Sequence, residues 1–368
     1  MSTEETVLGR ESSGPSRRSF LKAGAGGLAV ASGLSGGVLG LATGAGAARG
    51  RKIELFINDG ELRMVDNAPV YMWRFAKADG AGGRRALPLR PVVLHAKAGE
   101  LLTVVVHNNL EQAHSFLIAD MVDARTGRPF NVHTGKIAPR RSGRVTFRAP
   151  RAGIYMYEDG INRPVNRVLG LGGAFIVTPR RGRNRPFEGG PRYHGKPFVW
   201  TLQDVDKAWA DAASRLRPGQ QLRFRNHLRS FDPRYFNING KGGFQSMEEE
   251  TVRVVRRMNH AAWISVVNLG LCTHALHWHG NHVFLWSTNN ERHHDFLQEK
   301  DVVPAIPDTR LGILLPCHRA LDAWPRRLGR DEINCFPMHC HAEMSQTAAG
   351  GLYPGGMVTD WQLSPAKN

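Results

Sequence analysis

The sequence predicts an all-β protein built from two β-sandwiches. The chain has 368 residues, which is enough for two domains of ordinary size. Hydrophobic residues make up 41% of it, as in a globular protein with a core. Glycine (41 residues) and proline (21 residues) are plentiful, and the apolar runs are short. This combination is typical of many short strands joined by turns.

The first half of the chain contains several predicted strands. Residues 144–148 (RVTFR) alternate with period two, as a half-buried strand does. Other predicted strands are 52–56, 101–106 and 173–178. The following stretch is dense in arginine, glycine, proline and asparagine, which is a linker composition. We therefore predict a first domain at 48–180, a linker at 181–197 and a second domain at 198–368.

The second half repeats this pattern of short strands. Predicted strands are 198–203, 251–255, 262–267, 283–286, 311–315 and 357–363. Residues 206–216 fit either a short helix or a loop. Because strands outnumber helices, two β-sandwiches remain the simplest architecture.

The formal net charge is +17. Nucleic-acid binding is one interpretation, but the arginines are scattered and no recognised nucleic-acid module accompanies them, so we predict no nucleic-acid partner. The other interpretation is a generally basic surface. Such a surface attracts anionic molecules or anionic lipid.

The N-terminal residues resemble an export signal. Residues 16–22 (SRRSFLK) resemble the twin-arginine motif, and an apolar stretch rich in glycine and alanine follows from 23 to 48. Residues 45–47 (AGA) resemble a small-residue cleavage site. A disordered basic tail and a membrane anchor are the alternatives, but the stretch is rich in glycine and only weakly apolar, which argues against a stable membrane span. We predict that 1–47 are a twin-arginine signal peptide and that the protein is periplasmic or extracellular, where disulfides are allowed.

Two short segments carry the candidate chemistry. Residues 274–282 (HALHWHGNH) contain four histidines, and residues 338–341 are Met-His-Cys-His. On a strand, successive side chains point to opposite faces. His339 and His341 would then share one face, with Cys340 on the other. One strand is thereby able to serve two metal sites.

The first segment repeats this geometry. His277 and His279 share a face, whereas His274 is able to reach the side of the thiolate. Imidazole and thiolate ligands together suit copper or zinc. The alternative is a relic site in which hydrogen bonds satisfy the histidines. The predicted metal ligands are His274, His277, His279, His339, Cys340 and His341.

The two segments resemble the last domain of multicopper oxidases, which carries His-x-x-His-x-His-Gly and later His-Cys-His. The resemblance implies cupredoxin-like Greek-key sandwiches and copper as the cofactor. It implies that His274 and Cys340 bind a type 1 copper. The other four histidines would be half of a trinuclear cluster that reduces oxygen to water. Cys340, His339 and His341 are implied as the catalytic electron route.

The chain departs from the family pattern at the type 1 site. The family has a histidine five residues after the cysteine and often a methionine five residues further on. Here these positions are Ser345 and Gly350. A type 1 copper needs a third good ligand. Candidates for it are Glu343, Met344 and Met357.

The first domain also departs from the pattern, because it lacks the two His-x-His pairs that complete the cluster. His114 stands alone in one matching stretch, and Glu158 and Asp159 stand where imidazoles are expected in the other. Three outcomes are open. The second domain binds one or two coppers by itself, a symmetric oligomer brings two such domains together, or Glu158, Asp159 or His114 complete a modified site.

The four cysteines are Cys272, Cys317, Cys335 and Cys340. Cys317 and Cys335 flank one long connection. They either form a disulfide with each other or are two free buried thiols. Cys272 lies two residues before His274 and is either a core residue or an extra ligand.

The resemblance implies an exported copper-dependent oxidoreductase. It would take single electrons from a small molecule or metal ion and pass them to oxygen or another acceptor, as a monomer or as a dimeric or trimeric homo-oligomer. The alternative is a non-catalytic copper-binding or scaffold protein with an incomplete site. Copper nitrite reductases also pair two cupredoxin domains, but their type 1 ligands lie in the first domain, which has no cysteine here.

Overall fold

A computed structural model describes residues 50–77, 87–182, 184–223, 228–293, 298–319 and 333–364. The predicted signal peptide lies outside these residues. Residues 49–368 form one compact unit. Within the described part, no helix is long and apolar enough to cross a membrane.

The first part of this unit is a sandwich of two sheets. Its strands are β1 (Arg51–Arg63), β2 (Pro69–Lys77), β3 (Leu94–Lys97), β4 (Leu101–Asn108), β5 (Leu117–Val122), β6 (Pro129–His133), β7 (Ser142–Arg148), β8 (Gly153–Glu158) and β9 (Gly172–Thr178). One sheet has the order β2-β1-β4-β7 and the other the order β3-β9-β8-β5-β6. Leu55 and Val104 of the first sheet share one core with Tyr155 and Phe175 of the second. The sheets therefore pack face to face.

The second part is another sandwich. Its strands are β10 (Phe198–Val205), β11 (Tyr235–Ile238), β12 (Val254–Arg257), β13 (Ala262–Asn268), β14 (His274–Trp278), β15 (Val283–Thr288), β16 (Glu291–Arg292), β17 (Gln298–Lys300), β18 (Val302–Ala305), β19 (Arg310–Leu315), β20 (Asn334–Cys340) and β21 (Val358–Ser364). One sheet has the order β11-β10-β13-β19-β15, with β16 and β17 beside β15, and the other the order β12-β21-β20-β14-β18. Trp200 and Trp278 stack across their shared core with ring centroids 5.9 Å apart.

Among the described residues, three short helices lie between the strands: α1 (Val165–Val168), α2 (Lys207–Ser214) and α3 (Phe244–Glu248). Residues 206–216, for which the sequence fits either a short helix or a loop, contain the helix α2. The Asp206 carboxylate caps it by accepting hydrogen bonds from the amides of Ala208 and Trp209. Single 3₁₀ turns are formed by Leu228–Ser230 and Glu343–Gln346.

The predicted all-β sandwiches are confirmed, with one strand misplaced. The strand predicted at 251–255 is β12 and begins three residues later. The amides of Val252 and Arg253 both donate to the carbonyl of Glu249, which closes a turn there. The division into domains at 181–197 stays a prediction.

The two sandwiches share a buried contact. Ile154 and Ile176 of the first pack with Trp263 and Trp286 of the second in one apolar cluster. Near it, the guanidinium of Arg167 is buried and donates to the carbonyl of Leu269 at 3.0 Å. Apolar packing and a buried cation thus hold the halves together.

Candidate metal centre

Strands β14 and β20 are antiparallel neighbours, and their register sets the geometry of the site. His277 lies opposite His339, and Leu276 lies opposite Cys340. Burial alternates along both strands, so His274 and Cys340 are fully buried while His277 and His339 are half-buried. The imidazoles of His277 and His339 therefore lie on one face, and the His274 imidazole and the Cys340 thiol lie on the other, as the period of two predicts. Strand β20 ends at Cys340, but His341 stays close because its amide donates to the carbonyl of Ala275 at 2.7 Å.

His277, His279, His339 and His341 form a compact cluster, here called the four-histidine face. The ring of His277 lies 4.8 Å from that of His279 and 4.7 Å from that of His341, measured between centroids. Nε2 of His279 lies 3.0 Å from Nε2 of His339. Ligand nitrogens of His277, His339 and His341 all lie within 4.8 Å of one another. Among the described residues, this is the one group of three or more metal-ligating side chains that is so close.

Two imidazoles of this face, those of His279 and His339, have lowered pKa values. Partial desolvation and the neighbouring His277 and His341 lower the pKa of His279. Desolvation and the neighbouring imidazoles also lower the pKa of His339. Neutral imidazoles have a free lone pair, so these shifts favour metal coordination at neutral pH. Nδ1 of His277 lies 3.0 Å from the carbonyl of Asp301, which orients its ring.

His279 and His341 are exposed, so the four-histidine face opens to solvent. The four histidines predicted to lie together are all in this face. Among the described residues, no metal-ligating group of the first sandwich joins the close cluster. These four are the histidines that the resemblance implies for half of a trinuclear cluster.

On the buried side, Cys340 lies in a polar pocket. Its Sγ accepts hydrogen bonds from the amides of Ala275 at 3.2 Å and Ala342 at 3.4 Å, and it lies 3.8 Å from Nδ1 of His274. Burial raises the pKa of Cys340, but the hydrogen bonds from His274 and the two amides outweigh it, so the pKa is lowered. A stabilised thiolate next to an imidazole suits a soft metal.

Asp204 is a functional residue that the sequence analysis missed. Its buried carboxylate lies 2.8 Å from Nε2 of His274 and accepts hydrogen bonds from the amides of Leu271 and Cys272. Burial lowers the pKa of His274, but Asp204 and Cys340 raise it to about 9. The available signal was an aspartate inside the apolar run of β10, since buried carboxylates need partners.

Ser345 occupies the third position of the thiol pocket. It is buried, and its Oγ lies 3.1 Å from Nδ1 of His274. Two of the candidate substitutes for the missing histidine gain no support, because Glu343 is exposed and Met344 is 62% exposed. Both lie in the 3₁₀ turn after Cys340, where their side chains face solvent. Met357 is buried in the same core as Cys340 and remains as a candidate.

Cys272 is half-buried beside this pocket. Desolvation and its hydrogen bond to Asp204 raise the pKa of its thiol to about 12. A protonated thiol is a poor metal ligand. The prediction that it is an extra ligand therefore gains no support.

The candidate residues of the first sandwich have other partners. His114 and Asp159 are both fully buried, and Nδ1 of His114 lies 2.7 Å from Oδ2 of Asp159. The Glu158 carboxylate is buried and pairs with Arg163 at 2.5 Å and Arg167 at 3.2 Å. These buried pairs already occupy the two carboxylates and one ring nitrogen of His114, so the hypothesis that the three residues complete a modified site gains no support and stays a prediction.

All four cysteines are free. The Cys317 thiol is buried and lies 3.5 Å from the carbonyl of Leu315, whereas the Cys335 thiol donates to Oδ2 of Asp360 at 2.9 Å. In the structure, Cys317 and Cys335 are therefore a pair of free thiols and do not form a disulfide.

Solved structures with the same architecture span most of the chain. A blue copper oxidase from Nitrosomonas europaea is 19% identical, with a TM-score of 0.63 over 86% of each chain. The chain has the two-domain cupredoxin fold. The multicopper oxidase mgLAC is 18% identical, with a TM-score of 0.60 over 86% of each chain. A copper nitrite reductase from N. europaea is 13% identical, with a TM-score of 0.57 over 85% of this chain and 93% of that one.

The predicted cupredoxin resemblance is thus confirmed for the fold. Because oxidases and a nitrite reductase share this cupredoxin fold, it does not choose between their reactions. No protein-family model and no curated protein matches the sequence.

Proposed function

We propose that this protein is an exported copper-dependent oxidoreductase that resembles the multicopper oxidases. One observation carries the proposal: Cys340 is buried beside His274, while its two chain neighbours, His339 and His341, lie in the four-histidine face. One residue thus joins a thiolate pocket to a cluster of imidazoles through single peptide links. This is a short covalent route for electrons.

The residues of the four-histidine face fit copper. The donor set consists of imidazoles alone, and imidazole is a preferred ligand of copper. Copper, when bound, supplies one-electron redox chemistry. His277, His279, His339 and His341 would hold it, with Asp301 fixing the ring of His277. The indole of Trp361 donates to the carbonyl of His279 at 2.8 Å and so fixes the backbone there.

The thiol pocket fits copper less well. His274 and Cys340 are two good ligands, and the serine hydroxyl of Ser345 is a weak third one. We therefore assign no ordinary type 1 copper to it. The pocket still stabilises a thiolate at the end of the electron route, which is a suitable entry point for electrons from a donor.

The open side of the four-histidine face has two consequences. A small electron donor and oxygen are able to reach it directly. Alternatively, the same face of a second chain covers it and supplies more imidazoles, which makes the protein a homo-oligomer. We propose a small molecule or a metal ion as the donor and oxygen as the acceptor.

The decisive experiment measures copper per chain, the EPR spectrum and oxygen consumption with a phenolic donor. We expect bound Cu(II) with nitrogen hyperfine splitting, and oxygen uptake that requires the donor. Replacing both His277 and His339 by alanine is expected to abolish this copper. His260→Ala is the matched control, because His260 is exposed and its ring stacks near His194, outside the face. Full copper retention in the double variant would refute the site.

A second function, non-catalytic copper binding, is favoured by Ser345 and by the half-complete ligand set. It predicts stoichiometric copper without oxygen uptake for any donor tested. Size-exclusion chromatography with light scattering, with and without copper, shows whether a second chain completes the face.

Export is a separate part of the proposal and rests on residues 16–22. Fusing residues 1–50 to a reporter that folds before transport is expected to deliver the reporter across the membrane. Replacing Arg17 and Arg18 by lysine is expected to retain it inside. Equal export of both fusions would contradict the twin-arginine route.

A further inference from the structure

An open cleft lies between the two sandwiches, away from the four-histidine face. It has a volume of about 690 Å³, and strands β3 and β9 line one side while β10 and β12 line the other. No residue of the four-histidine face or the thiol pocket lines it. Clefts of this size between domains are common sites for small molecules.

The cleft carries more positive than negative charge. Lys77, Lys196, Arg256 and Arg90 line it, and Glu250 is the one carboxylate among the lining residues. Arg90 has its own partner, Glu249, at 3.4 Å. The other three cations have no carboxylate within salt-bridge distance among the described residues. This leaves an excess of positive charge facing a concave surface.

Arg256 is the central feature of the cleft. Its Nη1 donates to the carbonyl of Val255 at 2.9 Å and its Nη2 to the carbonyl of Lys196, but its Nε is buried without a hydrogen-bond partner among the described residues. Its guanidinium lies over the ring of Phe198, 4.5 Å from the centroid. Desolvation lowers its pKa. Because no carboxylate pairs with this guanidinium among the described residues, its charge contributes a positive potential to the cleft.

A second group of charges lies across the cleft. Nζ of Lys77 donates to the carbonyl of Val93 at 2.9 Å, which holds the ammonium at the wall. Desolvation, followed by the charges of Lys77, Arg51 and Lys196, lowers the pKa of His95. The contribution of these cations to the lowered pKa of His95 indicates a positive potential at this wall.

The remaining walls are apolar and aromatic. Phe198, Tyr193, Ile176 and Val199 line the cleft, and the Tyr193 ring packs at 5.9 Å against Trp263. These rings offer a flat surface, and the cations lie around it. The arrangement matches a molecule with an apolar body and one anionic group.

We propose that this cleft binds a small organic anion, a flat apolar body with one carboxylate or sulfonate, through Arg256, Lys196 and Lys77. The charges of the Arg256 guanidinium and of the two ammonium groups attract the anionic group. The apolar body lies against Phe198 and Tyr193. This site is independent of copper binding and of the proposed oxidoreductase activity.

The test compares 2-naphthoate with its neutral analogue 2-naphthamide by isothermal titration calorimetry. We expect saturable binding of one naphthoate per chain and much weaker binding of the amide. Arg256→Gln and Lys196→Gln are each expected to weaken naphthoate binding by about tenfold or more, since a hydrogen bond to a charged group contributes about that factor. Arg256→Lys keeps the positive charge and is expected to retain more of the affinity than Arg256→Gln.

The controls separate a built site from a generally basic surface. Arg144→Gln and Lys136→Gln remove exposed cations outside the cleft and are expected to leave the affinity unchanged. Circular dichroism and the melting temperature check that the Arg256 variants are folded, and Lys196 supplies a second, surface variant. Equal binding of acid and amide, equal loss in the control variants, or no saturable binding of naphthoate would overturn the proposal.

Discussion

Oγ of Ser345 lies 3.1 Å from Nδ1 of His274, and the same ring nitrogen faces Sγ of Cys340 at 3.8 Å. The serine hydroxyl thus stands beside both candidate ligands of the thiol pocket. It is small, buried and only weakly coordinating, so the pocket has two strong metal ligands instead of three.

The first prediction follows from this contact. Ser345→His is expected to add the third ligand and to produce, with Cu(II), an intense blue copper–thiolate band that the unmodified protein lacks. The larger ring in a packed site is expected to lower the free energy of unfolding by about 1–3 kcal/mol. Visible absorption and EPR spectra measure the first effect, and urea unfolding the second. Ser345→Ala is the control; a blue band in it, or in the unmodified protein, would contradict this account of the pocket.

Much of the site could be predicted from the sequence because strand geometry is local. The spacing of His274, His277 and His279, together with Met338-His339-Cys340, fixed which side chains share a face, and the burial of β14 and β20 follows that pattern. Asp204 could not be predicted in the same way. It reaches His274 only through the pairing of β10 with β13, a long-range contact that no local pattern encodes.

The first sandwich illustrates another limit. The sequence correctly indicated that its His-x-His pairs are absent, but not what Glu158 and Asp159 do instead. Glu158 pairs with Arg167, and Asp159 pairs with His114. The distances between these partners along the sequence follow no helix or strand period. The pairs form because both partners are buried together. The predicted start of β12 was wrong for a related reason. Backbone hydrogen bonds close a turn at Glu249, although the residues after it favour a strand.

The second prediction concerns Asp204. Asp204→Ala removes the acceptor of the Leu271 and Cys272 amides and the partner of His274, and it leaves buried donors unsatisfied. We expect a loss of about 3 kcal/mol in the free energy of unfolding. Asp204→Asn keeps one oxygen and is expected to cost less. Urea unfolding measures both.

Asp211→Ala is the matched control for Asp204. The Asp211 side chain is 39% exposed and pairs with Lys207 on α2 at 2.8 Å, and such surface pairs contribute well under about 1 kcal/mol. If the two alanine variants were equally stable, the buried network around Asp204 would not stabilise the fold.

The third prediction concerns Arg167, whose guanidinium is 2% exposed. It pairs with Glu158 in the first sandwich and contacts Leu269 and Asp308 in the second. Arg167→Ala leaves the buried Glu158 carboxylate with Arg163 alone and is expected to lower the free energy of unfolding by about 3–5 kcal/mol.

Two further variants test the cause of this loss. Arg167→Met combined with Glu158→Gln removes both charges while keeping most of the volume, and it is expected to recover part of the stability. Arg144→Ala, at an exposed arginine, is expected to change it by less than about 0.5 kcal/mol. Thermal and urea unfolding measure all four proteins; a double variant as unstable as Arg167→Ala would show that lost packing, not the unpaired charge, is the cause.

The fourth prediction concerns the cysteines, which the structure has as free thiols. In the folded, metal-free protein, iodoacetamide is expected to modify Cys335 first, because it is exposed, while Cys317 and Cys340 are buried. Desolvation and Asp360 raise the pKa of Cys335 to about 11, so its alkylation is expected to accelerate as the pH rises from 8 to 10, following the thiolate fraction. Peptide mass spectrometry measures the order of labelling. Unfolding without a reductant is expected to expose four reactive thiols, whereas two reactive thiols before reduction and four after it would reveal a Cys317–Cys335 disulfide.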